Sequence, residues 1–256
     1  MSSPDLTAYI AKTPNGLKLS IALEELGLPY KTHELDLFSG EQKQDWFLAI
    51  SPFSLMPALV DTNGPDGKPI SIFESGSILQ YLAERYDPEN KISYPAGSRE
   101  AYEVTNWLFF HNATMSPKQS YALQFHVVEP EGYAARKFRN ESLEGFSILE
   151  SVLAKSTSGF IVGDHLSIAD ITFYTYMQTA MMSGIDLTKY PSVKAWRERI
   201  AARPAVQRGE TKPFKPMPEI SMEARLQFMK AWYEKDMNWR APKEEEKAAE
   251  QEEQNK

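Results

Sequence analysis

Residues 6–37 read LTAYIAKTPNGLKLSIALEELGLPYKTHELDL, and the order of patterns in this stretch decides the fold. Leu6 to Ile10 reads as a short strand. A turn through Lys12-Thr13-Pro14-Asn15 follows. Leu17, Ile21, Leu23 and Leu26 then recur at helical spacing until Gly27 ends the helix. Tyr30 to Leu37 alternates again, with Lys31, His33 and Asp36 at its polar positions. Strand, helix and strand make a crossover unit, so the two strands should be parallel and the connection right-handed.

Outward from that unit, Glu41 to Ile50 reads as a short helix, and Pro57-Ala58-Leu59-Val60-Asp61 as a strand led by proline. Thr62 to Pro69 carries two glycines and two prolines and reads as a turn, with Ile70 to Phe73 as the return strand. Ser75 to Tyr86 reads as a helix with Ile78, Leu79 and Leu82 on one face. The sheet is therefore expected to be mixed and four-stranded. Asp87 to Gly97 reads as a linker. Beyond it the patterns are helical: Arg99 to Glu129 with a bend at Pro117, Gly132 to Lys155, Ser167 to Ser183 and Ser192 to Ala202. Pro213, Pro216 and Pro218 punctuate the next segment. Met222, Leu226, Met229, Tyr233 and Met237 then form one helical stripe, with Trp232 and Trp239 beside it. The tail from Pro242 to Lys256 has six Glu, three Lys and no large apolar side chain, so it is expected to be disordered. The expected units are 1–86, a linker at 87–97, a helical domain at 98–210, an extension at 211–241 and a tail at 242–256.

Composition narrows the chemistry. The 256 residues carry 28 Lys and Arg against 35 Asp and Glu, a net charge of −7 that argues against a nucleic-acid partner. Cysteine is absent, which excludes a disulfide scaffold, a thiolate metal site and a cysteine nucleophile. His33, His111, His126 and His165 have no metal-ligand spacing, so no metal is expected. The amino terminus lacks a targeting pattern and no apolar run approaches the ~18–20 residues of a membrane span, so a cytoplasmic protein without a membrane partner is expected.

Four motifs occur in order: Thr13-Pro14-Asn15-Gly16-Leu17-Lys18, Met56-Pro57-Ala58-Leu59, Phe73-Glu74-Ser75-Gly76-Ser77-Ile78 and Leu166-Ser167-Ile168-Ala169-Asp170. With the element order they resemble the cytosolic glutathione transferases over Leu6 to Arg208. The run TPNGLKLSIALEELGLPY, the ESGSIL stretch and Asn106-Trp107-Leu108-Phe109-Phe110 resemble the fungal branch similar to the yeast prion-forming nitrogen regulator, which includes transferase-like proteins of secondary-metabolite clusters. The resemblance implies an α+β thioredoxin-like domain followed by an all-α domain. It also implies binding of glutathione as substrate, an electrophilic small molecule as second substrate, and a homodimer.

Thr13 and Asn15 stand at the start of the first helix, where unpaired N–H groups and the helix dipole favour an anion. The thiol of such a site must come from a ligand. Lowering its pKa by two units requires about 2.7 kcal/mol of preferential thiolate binding. Two or three hydrogen bonds to an anion, at about 1.5–3 kcal/mol each, can supply that. The competing reading of Thr13 or Asn15 is a helix cap. In the fungal branch the asparagine is the residue assigned to the sulfur. Tyr9 is a rival, but it lies within the strand. The resemblance further implies a cis Met56-Pro57 peptide whose Met56 backbone pairs with glutathione. It assigns Glu74 and Ser75 to the charged γ-glutamyl end, and Gln42 and Lys43 to the glycyl carboxylate. Phe110, His111 and Met115 are the expected electrophile pocket. Ser167 and Asp170 are expected to cap a core helix and carry no chemistry. The other reading of the chain is a transferase-shaped regulator or scaffold with little catalysis.

Overall fold

The computed structural model describes residues 4–215 and 221–240. The expectations for Pro216, Pro218, the side chains of Met222, Met237 and Trp239, and the acidic tail lie outside the described residues.

Strands β1 (Leu6–Ile10), β2 (Tyr30–Glu34), β3 (Ala58–Asp61) and β4 (Ile70–Phe73) form one mixed sheet in the order β2-β1-β3-β4. β1 runs parallel to β2, with Leu6 opposite Tyr30, and antiparallel to β3, with Leu6 opposite Asp61. β3 and β4 are an antiparallel pair with Ala58 opposite Phe73. The crossover between β1 and β2 is α1 (Pro14–Leu26), ended by Gly27 in the left-handed region at φ 65° while Leu28 N–H bonds back to Leu23 O at 3.0 Å. Alternation sends Leu6, Ala8 and Ile10 of β1 into the main core. Tyr9 points to the opposite face, where it packs with Phe47 of α2 (Asp45–Leu48), Leu35 and Ala58.

The remaining helices are α3 (Ser75–Tyr86), α4 (Arg99–Phe109), α5 (Ser116–Val128), α6 (Tyr133–Leu153), α7 (Ile168–Tyr176), α8 (Pro191–Ala201), α9 (Pro204–Thr211) and α10 (Met222–Arg240). Three of these differ from the sequence expectation. The helix expected through residue 129 is interrupted by six residues of wider π-helical winding, Phe110–Met115, and Pro117 falls in the first turn of α5, where its missing N–H is tolerated. The helix expected over 167–183 ends at Tyr176 and continues as two short tight turns, Met177–Thr179 and Met181–Ser183. α9 was not expected at all: Arg203-Pro204 looks like a break, but proline at the first helical position starts a helix.

The two halves share one core. Gly16 to Glu24 and Leu26 of α1 are all buried, because the sheet and α3 cover one side and α7 and α9 the other. α9 approaches so closely that a Cβ on Gly209 would lie 2.7 Å from Ile21 Cα, so glycine is required there. Ser20 Oγ donates to Gly209 O at 2.7 Å. Glu24 accepts from Arg208 at 2.8 Å, Lys212 at 3.0 Å and the Tyr30 hydroxyl at 3.0 Å, and Glu25 is gripped by both arms of Arg203 at 2.6 and 2.7 Å. In α7, Asp170 is buried and closes a capping box with Ser167. It also accepts from Ile161 N at 3.0 Å and Trp196 Nε1 at 2.9 Å.

Candidate active site

The start of α1 is the first part of the site. Thr13 is extended, and its Oγ1 accepts the Gly16 N–H at 3.2 Å, so it is the helix cap. Its hydroxyl also donates to Met56 Sδ at 3.4 Å. A thioether is a weak acceptor, so that proton is readily turned to a better one. Asn15 lies one turn-step inside the helix, half-buried, and its Oδ1 accepts from the Tyr176 hydroxyl of α7 at 3.4 Å. With Oδ1 occupied, the Asn15 amide nitrogen is the end left to donate. The Met56-Pro57 peptide is cis and immediately precedes β3.

The start of α3 is the second part. Glu74 is exposed and sits at φ 68°, a left-handed conformation that costs a non-glycine residue about 1–3 kcal/mol. Ser75, at the first helical position, is buried. Beneath it lies Lys18, which is fully buried. Its ammonium donates to Ser75 Oγ at 3.2 Å and Asn112 Oδ1 at 3.1 Å, and stands 5.0 Å from the centre of the Tyr176 ring. Burial pulls the Lys18 pKa down to about 7 against a partial offset from the nearby Glu74 carboxylate. His111 is equally buried. Asn112 Oδ1 can only accept, so the His111 Nδ1 at 3.3 Å carries the hydrogen, and Nε2 has no partner among the described residues. Burial, with the Lys18 charge behind it, holds the imidazole pKa well below its ordinary value, so the ring is neutral.

On the tight turn Glu41–Lys43 that precedes α2, Gln42 is buried, its Oε1 unpartnered among the described residues. Ser54 Oγ fixes the Gln42 backbone carbonyl at 2.8 Å. Lys43 is half-buried beside it. A buried orphan acceptor and donors at two helix starts are features that suit a ligand with both charges and an anionic centre.

The expected electrophile pocket is corrected by the structure. Val104, Leu108, His111 and Met115 recur every three or four residues and form the buried face of the α4–α5 segment. Met115 is only 2% exposed and lies against Gly145, His111 is fully buried, and Phe110 packs on Trp107 and Phe173. His111 and Met115 are thus core residues, and Phe110 is half-buried. Tyr9 rests against Phe47, Trp46 and His33 on the far face of the sheet. Lys18, Asn112 and Tyr176 were not anticipated. Only Lys18 left a signal in the sequence: a lysine inside an apolar helical run, with Pro14 and Ala22 rather than acids four residues away.

No group of three acidic, histidine or cysteine side chains is arranged to hold a metal among the described residues, and none of their helices is long and apolar enough to cross a membrane. α10 packs on α5. Phe228 and Trp232 of that helix meet the ring of Phe38 at 4.8 and 4.9 Å, just ahead of Gln42.

Residues 14–85 match the model of the glutathione S-transferase N-terminal domain, and residues 120–208 that of the C-terminal domain. Disulfide-bond oxidoreductase YfcG of Escherichia coli (strain K12) is 36% identical over 77% of this chain and 90% of its own length. Glutathione S-transferase-like protein tpcF of Aspergillus fumigatus is 33% identical over 80% of this chain and 94% of its own. Protein URE2 of Candida albicans is 30% identical over 76% and 66%, respectively. The crystal structure of a glutathione transferase homologue from Lodderomyces elongisporus, with two glutathione molecules per subunit, superposes with a TM-score of 0.75 at 34% identity, covering 82% of this chain and 99% of that one.

Proposed function

Because this chain belongs to the glutathione S-transferase family, to the part of it that includes the fungal URE2-like proteins, we propose that it binds glutathione across the starts of α1 and α3 and adds its thiolate to an electrophilic small molecule. Asn15 Nδ2 donates to the sulfur, and Thr13 turns its hydroxyl from Met56 to the same atom. The thiol proton leaves to solvent, the sulfur attacks carbon, and the displaced pair departs with a leaving group or is protonated on a neighbouring atom. Proximity and anion stabilisation drive the step, without a protein nucleophile. The Met56 backbone ahead of cis Pro57 pairs with the cysteinyl unit. Glu74 and Ser75 take the γ-glutamyl ammonium and carboxylate, and Gln42 and Lys43 the glycyl end. The observation that carries this reading is the orientation of Asn15, whose acceptor end is held by Tyr176.

A second reading is favoured by the likeness to a disulfide-bond oxidoreductase and to a homologue with two glutathione molecules per subunit. The lack of cysteine rules out only a reductase with its own thiol. Two glutathiones can supply both electrons. The first thiolate attacks a substrate disulfide and expels one thiol; the second attacks the mixed disulfide, releasing the other thiol and glutathione disulfide. Retention on immobilised glutathione, then parallel assays with an aryl halide and with hydroxyethyl disulfide, separate the two reactions. Binding with neither activity supports the scaffold reading, and no retention sinks both reactions.

The proposed assembly is a cytoplasmic homodimer. An open groove along β4 and α3, lined by Ile70, Ile72, Phe73 and Tyr81, leaves Phe73 45% exposed, and such a face suits a second copy of the chain.

A further inference from the structure

We propose that Lys18 is a positioning residue that fixes the donor polarity of both ends of the glutathione site and binds one proton more tightly when glutathione is bound. The proposal rests on the glutathione reading above.

An ammonium can donate and cannot accept. Bonded to Lys18, Ser75 Oγ is therefore obliged to accept from below, and its own O–H is left to donate outward. That suits a carboxylate and rejects a cation. On the other side, the Lys18 ammonium lies against the Tyr176 ring, whose hydroxyl donates to Asn15 Oδ1. The ring is thereby held where its O–H occupies the acceptor end of Asn15, and the amide N–H of Asn15 remains for the sulfur. One buried cation, with all three of its donor directions used by Ser75, Asn112 and an aromatic face, sets two distant ligand-facing groups as donors. Asn112 completes the arrangement from the helical half. A Cβ on Gly76 would lie 2.2 Å from its Nδ2, so the amide is wedged against α3 and cannot swing away from Lys18.

The charged and titratable groups facing Lys18 are few. From the α3 start come Glu74 and the neutral Ser75; from the π-helical stretch come neutral His111 and Asn112; from α7 comes Tyr176. Glu74 is the one anion among them. The ligand brings a carboxylate to Ser75, which Lys18 bonds directly, and an ammonium to Glu74, which acts on Lys18 only at longer range; the nearer charge outweighs the farther one and favours the ammonium over the free amine. Since the free group titrates near 7, ligand binding at pH 8 draws a proton from solvent onto Lys18.

S-methylglutathione, which has no thiol to ionise, is the probe. Calorimetric titration of the full-length protein at pH 8, in buffers of differing ionisation enthalpy, is expected to show wild type taking up about 0.4–0.9 proton more per site than Lys18→Met. At pH 6.5 Lys18→Met is expected to bind the probe at least tenfold more weakly than wild type. Equal proton uptake, or affinities within twofold, overturns the proposal and leaves the glutathione reading standing. No binding by wild type at either pH overturns both. Should Lys18→Met fail to fold, NMR of wild type carrying ε-¹³C-lysine gives the answer without it. One lysine resonance is expected to titrate near pH 7 and to move up by about one unit or more with the probe. No lysine titrating below pH 9, or a midpoint the probe does not shift, overturns the proposal.

Discussion

Asn15 and Thr13 share the start of α1 but differ in what they hold, and this separates their variants. Among the described residues the Asn15 side chain hydrogen-bonds to Tyr176 and to no backbone group. Asn15→Ala is expected to raise the pKa of bound glutathione and cut kcat about 10–100-fold, the worth of one hydrogen bond to an anion, with little loss of affinity. Thiolate absorbance and turnover at pH 6.5 that match wild type would disprove the assignment. Thr13 caps the helix, so Thr13→Ala is expected to lower stability by about 1 kcal/mol as well as turnover, while Thr13→Ser retains both. Their place at the start of α1 was legible because they lie two residues apart in sequence, just after a strand and ahead of a helical pattern. The cluster of Lys18, Asn112 and Tyr176 was not: 158 residues separate the first from the last, and although a lysine in an apolar run is a signal, Asn112 and Tyr176 alone look like ordinary helix residues. His111 and Met115 were misread for a related reason. Aromatic and methionine side chains suit a pocket and a core equally, and only the register of the helix against its neighbours decides.

At the scale of elements, α7 and α10 make opposite predictions. The capping box at Ser167 and Asp170 was readable from spacing alone, whereas its further duty was not. The same carboxylate holds Ile161 of the preceding loop and Trp196 of α8, so one side chain ties three segments together. Asp170→Ala orphans several buried donors and is expected to cost at least about 3 kcal/mol in chemical denaturation. α10 is peripheral by comparison. It rests on α5 and on Phe38, and Phe38 belongs to the loop that leads to Gln42 and Lys43. Truncation after Lys215 frees that ring. The expected result is a several-fold rise in KM for glutathione with kcat little changed. An unaltered KM with a lower Tm would reduce α10 to a packing element. Loss of residues 242–256 alone is expected to change neither.

The whole molecule behaves as one thermodynamic body, because the apolar surface of α1 is completed only by α7 and α9. One heating transition is expected, and an isolated 1–97 fragment is expected to bind a hydrophobic dye rather than fold. Stability also carries the mark of Lys18. Its folded pKa is near 7 and its unfolded one near 10.5, so between those values the unfolded chain binds more protons. Unfolding free energy is therefore expected to rise with pH from about 7 towards 10. His111, depressed by burial, acts in the same sense below pH 6.5. Above pH 10 the hydroxyls of half-buried Tyr30 and Tyr81 and of buried Tyr174, pushed up by desolvation and by the carboxylates they bond, reverse the slope. Denaturant titrations of wild type and Lys18→Met across pH 6–9 test this: the variant should be nearly flat. The contact between Ser20 and Gly209 has a further consequence, for how the protein is made. The partners are 189 residues apart, and at about 5–20 residues per second a ribosome delivers the second roughly 10–40 s after the first. For that interval the face of α1 that α9 covers has no mate, so its safe passage falls to chaperones and to the pace of translation.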